Sequence, residues 1–261
     1  MTEGIAPMSD SCPIAWRIDG PGDAPILLLS NSLGTTTDMW APQLAALTAR
    51  HRVLRYDSRG HGRSGAPAGD YTLDRLGLDA VELLDSLGIA AVDVCGLSLG
   101  GMVGQWLGVH QPERIGRLII ANSSAYMGPP SAWHDRIALV RAHGMAAIAD
   151  AVTERWFTPE FRATSPDAVD TIRSMLLTTA PDGYCGACAA IAAMDMRPLL
   201  PRIARPVLVI GGLRDPATPP DHARALAAGI AGSQLVELPA AHLSNVELPE
   251  CFTEAVTGFL A

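Results

Sequence analysis

Val92-Asp93-Val94-Cys95-Gly96-Leu97-Ser98-Leu99-Gly100-Gly101 decides how this chain is read. Its first half is a short, β-branched run that ends at Gly96. Beyond Gly101, the residues Met102, Val103, Gln105, Trp106 and Leu107 suit a helix. Between strand and helix stands Gly-x-Ser-x-Gly. A turn this tight forces its central residue into a strained backbone conformation, and only flanking glycines let neighbouring backbone pass closely. The spacing predicts that the Oγ of Ser98 stands clear of a sheet, at a helix N-terminus whose free N–H groups and dipole favour negative charge. The pattern alone can arise by chance among 25 glycines. Its strand–turn–helix setting makes Ser98 a candidate nucleophile.

Working outward, Ile26-Leu27-Leu28-Leu29 reads as a strand buried on both faces, and it leads into a small polar loop at 30–36. Before it, 14–18 alternates as a half-exposed strand does; after it, Met39, Trp40, Leu44 and Leu47 recur at helical spacing. A strand at 53–56 ends in Asp57-Ser58-Arg59-Gly60-His61-Gly62-Arg63-Ser64, a glycine-rich loop of structural character. Thr72 caps a helix with Leu73, Leu76, Ala80, Leu83, Leu84 and Leu87 on one face, stopped by Gly88. Pro112 ends the helix after Ser98, and 118–122 is the next strand.

The alternation then breaks. From Met127 to about Arg197 the patterns are helical, at 133–143, 145–157, 168–177 and 184–194. Strands resume at 206–211 and 234–238, with helices at 221–230 and from Pro249 onward. This order predicts a doubly wound, mostly parallel α/β sheet built from 1–126 and 198–261. An all-helical cap, 127–197, is inserted after the strand ending near Asn122.

The 261 residues, 48% hydrophobic, suffice for one large α/β domain. A net charge of −8 without any basic run argues against a nucleic-acid surface, and no apolar run is long enough to cross a membrane. No signal peptide is visible at the N-terminus. The five cysteines (12, 95, 185, 188 and 251) show no disulfide-framework spacing, so a reduced, cytoplasmic protein is expected. Cys185 and Cys188 have metal-like spacing but no second ligand pair, and read as packed thiols in a small-residue helix.

A serine hydroxyl needs a base to take its proton, and that base needs an acid to hold its tautomer. Asp215 follows the strand ending at Gly211-Gly212, at the C-terminal end of a core strand, where α/β sheets place functional residues. His242 follows the next strand. The order Ser98, Asp215, His242 marks a catalytic triad; singly, Asp215 reads as a loop cap and His242 as a surface residue. Two N–H groups should face the developing oxyanion: Leu99, and either Ser32 or Leu33 from the loop after Leu29.

With these residues placed, the chain resembles the α/β-hydrolases throughout, and more narrowly the 3-oxoadipate enol-lactonase family. The resemblance is carried by Ser30-Asn31-Ser32-Leu33-Gly34, by Arg55 to Gly62, by Cys95 to Leu107, and by Ala240-Ala241-His242-Leu243-Ser244-Asn245-Val246-Glu247. In the cap it is carried by Arg155-Trp156-Phe157-Thr158-Pro159 and Gly183-Tyr184-Cys185. It implies hydrolysis of a small, carboxylate-bearing enol-lactone to 3-oxoadipate by way of an acyl-enzyme on Ser98, with no cofactor and no metal. The residues alone also fit a general carboxylesterase or thioesterase, or a non-catalytic ligand receptor on a hydrolase fold. The expected partner is the small anionic lactone, and the chain is compatible with a homo-oligomer.

An anionic substrate meeting an acidic protein calls for an arginine. Arg136, three residues after Trp133 on one helical face, is the candidate, with Arg173 and Arg197 next. Trp133, Trp156 and Tyr184 are the expected aromatic contacts in the cap.

Overall fold

Leu27, Leu28 and Leu29 are wholly buried, as a strand covered on both faces must be. The computed structural model, which describes residues 1–261, places them in β3 (Ile26–Ser30). The other strands are β1 (Thr2–Pro7), β2 (Pro13–Asp19), β4 (Arg52–Tyr56), β5 (Val92–Leu97), β6 (Ile115–Ala121), β7 (Val207–Gly212) and β8 (Gln234–Leu238). They form one sheet in the order β1-β2-β4-β3-β5-β6-β7-β8. The pairings β1–β2 and β2–β4 are antiparallel and the rest are parallel.

β1 is absent from the reading of the sequence above. It lies at the sheet edge with most of its side chains exposed, so no apolar run betrays it. Its register comes from β2, where Gly4 lies opposite Trp16 and leaves room for the indole.

Helices α1 (Ala41–Leu47), α2 (Leu73–Ser86) and α3 (Leu99–His110) follow the first strands. Thr72 caps α2, accepting from the N–H of Arg75. All but the last residue of α3 is buried, so this helix is the centre of the packing under the sheet. Between β6 and β7 come five α-helices and no strand: α4 (Ser131–His143), α5 (Ala146–Trp156), α6 (Pro159–Thr164), α7 (Pro166–Thr178) and α8 (Pro181–Ala193). α6 is one short turn capped by Thr158, too brief to show a period in the sequence. α4 packs on α8 and α5 on α7, and Tyr126 bridges Asp195 where the chain leaves and re-enters the sheet. α9 (Pro220–Gly229), the short α10 (Ser244–Glu247) and α11 (Pro249–Leu260) complete the chain.

Strand order positions the site. The chain runs outward from β3 to β4, then crosses back to β5 on the other side of β3. Loops leaving the C-terminal ends of β3 and β5 therefore diverge and open a crevice between them. No helix is long and apolar enough to cross a membrane.

Candidate active site

Ser98 leaves β5 with φ 57° and ψ −114°, a left-handed region that side chains avoid. Its N–H donates to Ala121 O at 2.9 Å, and Ser123 Oγ donates to its carbonyl at 2.8 Å. Both flanking glycines are required by contact. A Cβ on Gly96 would strike the Gly100 carbonyl, and one on Gly100 would strike the backbone of Ser30. Gly100→Ala is therefore expected to force β3 and the helix start apart. It should destabilise by at least the ~1–3 kcal/mol typical of overpacking, seen as a Tm several degrees lower. A Tm equal to the parent's would refute this account of the motif.

Ser98 Oγ lies 2.9 Å from His242 Nε2, and His242 Nδ1 lies 2.8 Å from Asp215 Oδ2. All three are buried. Asp215 accepts five hydrogen bonds: Oδ1 from the N–H groups of Ala217 (2.7 Å) and Thr218 (2.9 Å), Oδ2 from His242, Thr218 Oγ1 (2.6 Å) and Asn122 Nδ2 (3.1 Å). Burial alone would raise the Asp215 carboxyl; the charge and hydrogen bond of His242, with the bonds from Thr218, outweigh it and hold the group below its ordinary value. This line can pass a proton from Ser98 to His242 while an ionised Asp215 keeps Nδ1 protonated.

Asn122 is missed by the sequence reading, which takes it only as a strand end. The structure places it just past β6 at φ 42°. Its amide donates to both Asp215 Oδ2 and Ala241 O, at 3.1 Å each, and its Oδ1 accepts from Ser244 Oγ at 2.6 Å. One side chain thus ties the loop of Asp215 to the loop of His242. The available signal is a polar residue closing an apolar strand at the functional edge of the sheet. Glu247 accepts from Ala241 N at 2.9 Å and from Thr158, linking the His242 loop to the inserted helices.

In the turn after β3, the N–H groups from Ser32 to Thr35 are accounted for except one. Ser32 N–H points at Met39 Sδ (3.3 Å), Gly34 N–H at His61 Nε2 (2.9 Å) and Thr35 N–H at Ser32 O (3.2 Å). Leu33 N–H alone has no partner. Of the two expected donors, Ser32 is thus occupied, because the chain turns it inward onto Met39; Leu33 is left. Leu99 opens α3, so its N–H has no intrahelical acceptor. Ser32, Leu33, Ser98 and His242 all line one cleft of about 230 Å³.

The far wall of that cleft comes from the inserted helices and includes Trp133, Arg136, Arg155, Trp156 and Tyr184. The guanidinium of Arg136 lies 4.9 Å from the Trp133 ring centre, as their spacing predicts. Trp133 Nε1 donates to Met127 O at 2.9 Å, fixing the indole. Arg173 is turned away onto Asp150 (2.7 Å) and Arg197 onto Asp195 (2.6 Å), so neither alternative reaches the cleft. Arg155, not foreseen as a cleft cation, takes their place, donating to Pro216 O at 3.0 Å. Neither Arg136 nor Arg155 has a carboxylate partner. Partial burial, and then the charge of Arg136, hold Arg155 below its ordinary value. Phe157 is buried away from the cleft against Phe161, and Cys185 and Cys188 are free, buried thiols within α8.

The alpha/beta hydrolase family model matches residues 26–252. A 3-oxoadipate enol-lactonase of Acinetobacter baylyi is 45% identical over 241 residues, covering 92% of this chain and 90% of the relative. The solved enol-lactonase of Burkholderia xenovorans superposes with a TM-score of 0.97 at 45% identity, covering 98% of this chain and 99% of its own. A solved hydrolase of Pseudomonas aeruginosa gives 0.97 at 48% identity, covering 100% and 98%. The chain belongs to the alpha/beta hydrolase family and is similar over nearly its whole length to 3-oxoadipate enol-lactonases.

Proposed function

We propose that this protein is a serine hydrolase that opens 3-oxoadipate enol-lactone to 3-oxoadipate. The carrying observation is one cleft that joins the Ser98–His242–Asp215 line to two guanidinium groups without carboxylate partners. Two unpaired cations side by side repel one another, and a substrate carboxylate relieves that repulsion. Arginine's planar fork suits it. A neutral ester gains nothing from them.

In this reading Ser98 Oγ attacks the ring carbonyl while His242 takes its proton. The oxyanion forms against the N–H groups of Leu99 and Leu33. As the intermediate collapses, the ring C–O bond breaks and His242 returns the proton to the enol oxygen. The enol stays tethered to the acyl group, so re-closure competes with hydrolysis until tautomerisation to the ketone removes that nucleophile. His242 then takes a proton from water, whose oxygen displaces Ser98. Residues 127–197 act as the cap, supplying Trp133, Arg136, Arg155, Trp156 and Tyr184, while the core supplies the reacting groups. The five free cysteines suit work in the reducing cytoplasm.

The test compares this lactone with a neutral aryl acetate. Arg136→Ala is expected to raise KM for the lactone by about 1.5–3 kcal/mol, on the order of 10- to 100-fold, the range for a hydrogen bond to a charged group. Arg155→Ala should act in the same direction. Both should impair the aryl acetate far less. Equal losses on the two substrates would show that these arginines support the cap instead of reading the charge, and preference for neutral esters would point to a general carboxylesterase.

A further inference from the structure

We propose that His61 is a positioning residue of the oxyanion hole, holding the Leu33 N–H on target by accepting the N–H of Gly34. The proposal rests on the reading of Ser98 and Leu33 given above.

The Ser32–Leu33 peptide is aimed from its carbonyl side. Ser32 O accepts from both the N–H (3.2 Å) and the Oγ1 (2.8 Å) of Thr35. Because a trans peptide points its N–H opposite to its C=O, this directs the Leu33 N–H the other way. The next peptide must also be held, or the turn can rotate about Leu33. That hold is the bond from Gly34 N–H to His61 Nε2 at 2.9 Å. Gly34 itself is at φ 77°, and a Cβ there would meet Leu176 at 2.5 Å, so no side chain at this position can help hold the turn.

The ring of His61 is suited to the task. It is buried, and its Nδ1 lies 3.0 Å from Arg59 O. A carbonyl only accepts, so Nδ1 carries the proton and Nε2 presents its lone pair to Gly34. Burial, against the opposing effects of the Arg59 carbonyl and Asp57, pushes its pKa below the ordinary value and keeps the ring neutral.

The loop that carries His61 is anchored in turn. Asp57 accepts the N–H groups of Thr37 (2.9 Å) and Arg63 (3.0 Å), and Ser64 Oγ donates to Asp57 O (2.6 Å). Arg59 makes two 2.6 Å bonds to buried Asp79. Gly60, at φ 81°, lies with its backbone directly against that of Gly183 in α8. His61 is thus a strut between a rigid loop and the turn that offers Leu33. An oxyanion donor counts mainly in the transition state, so a loosened strut should lower kcat and leave KM nearly unchanged.

Two amides separate this from a filling role. The carbonyl of His61→Gln reaches the position of Nε2 and still accepts from Gly34. His61→Asn reaches only the position of Nδ1, keeping the Arg59 contact and leaving the Gly34 N–H unpaired. Rates are measured on the enol-lactone per active site titrated with a serine-directed phosphonate. His61→Asn should lose about 10- to 100-fold in kcat, somewhat less than removal of a whole donor. Its KM should change little, and its affinity for phenylboronic acid, which forms a tetrahedral serine adduct, should fall in parallel. His61→Gln should recover most of the kcat. Equal losses in both variants, a loss carried by KM, or unchanged boronate affinity would overturn the proposal. In wild-type protein, a ¹⁵N–¹⁵N coupling through the hydrogen bond from Gly34 to His61 Nε2 should be detectable; its absence would also overturn it, whether or not the variants fold. Failure of wild-type protein to turn over the lactone or to be labelled at Ser98 would instead reject the underlying reading.

Discussion

Ser98→Ala is expected to lower turnover of the enol-lactone by about 10⁵–10⁶-fold, the scale seen when a serine nucleophile is deleted. The fold should survive. Alanine keeps the Cβ, so the strain at φ 57° is unchanged, and the only side-chain bond lost is the one to His242. The backbone bonds to Ala121 and Ser123 are made by main-chain atoms and remain. Kinetics with the purified variant checks the rate, and mass spectrometry after treatment with a serine-directed phosphonate should find a single adduct, on Ser98. Near-parental turnover by the variant, or labelling elsewhere, would remove Ser98 from the mechanism.

Asp215→Asn should cost about 10⁴-fold in kcat, as a wrong-tautomer substitution does. The structure says which way the amide must sit. Two backbone N–H groups, of Ala217 and Thr218, point at the position of Oδ1, so the amide oxygen is held there. The NH₂ group then falls where Oδ2 accepted from His242. It donates to Nδ1, drives the ring proton to Nε2, and leaves nothing to accept from Ser98. A loss of tenfold or less would mean that another carboxylate serves. Two other carboxylates, Glu247 and Asp93, are engaged elsewhere: Glu247 with Ala241 and Thr158, and Asp93 with the N–H of Arg117 at 2.6 Å.

The contrast between Arg136 and Arg155 shows where sequence reasoning reaches its limit. Arg136 is legible because helical periodicity puts it on the face of Trp133, a local relation that the backbone enforces. Arg155 stands beside Trp156 in the last turn of α5, with no Trp three or four residues away to single it out. Val152, Arg155 and Trp156 share one face of α5 and all three line the cleft, where Arg155 donates to the Pro216 carbonyl at 3.0 Å; which face of α5 meets the cleft is set by how the helix packs. Likewise, Arg173 and Arg197 are sound candidates by charge, but Asp150 and Asp195 neutralise them. Arg197 pairs within two residues, whereas Asp150 lies 23 residues from Arg173 on another helix. The edge strand β1 escaped notice for a related reason: an exposed strand takes its conformation from a neighbour, not from its own composition.

By itself, the sequence determined whatever depends on short-range sterics and on period. The strand–turn–helix at Ser98 is legible because Gly96 and Gly100 are the only residues that fit against Gly100 O and Ser30. The parallel core is legible because strands covered on both faces are continuous apolar runs. Asp215 could be placed because it follows such a strand, β7, and His242 because it follows the next strand in the alternation, the partly exposed β8. Only the tertiary structure decided which groups spend their hydrogen bonds. Ser32 gives its N–H to Met39 and Leu33 keeps its own; Asn122 joins Asp215 to Ala241; His61 reaches across to Gly34. These pairings span gaps from 7 to 119 residues. A buried donor takes whichever acceptor the folded chain brings within about 3 Å, and no local pattern encodes that choice.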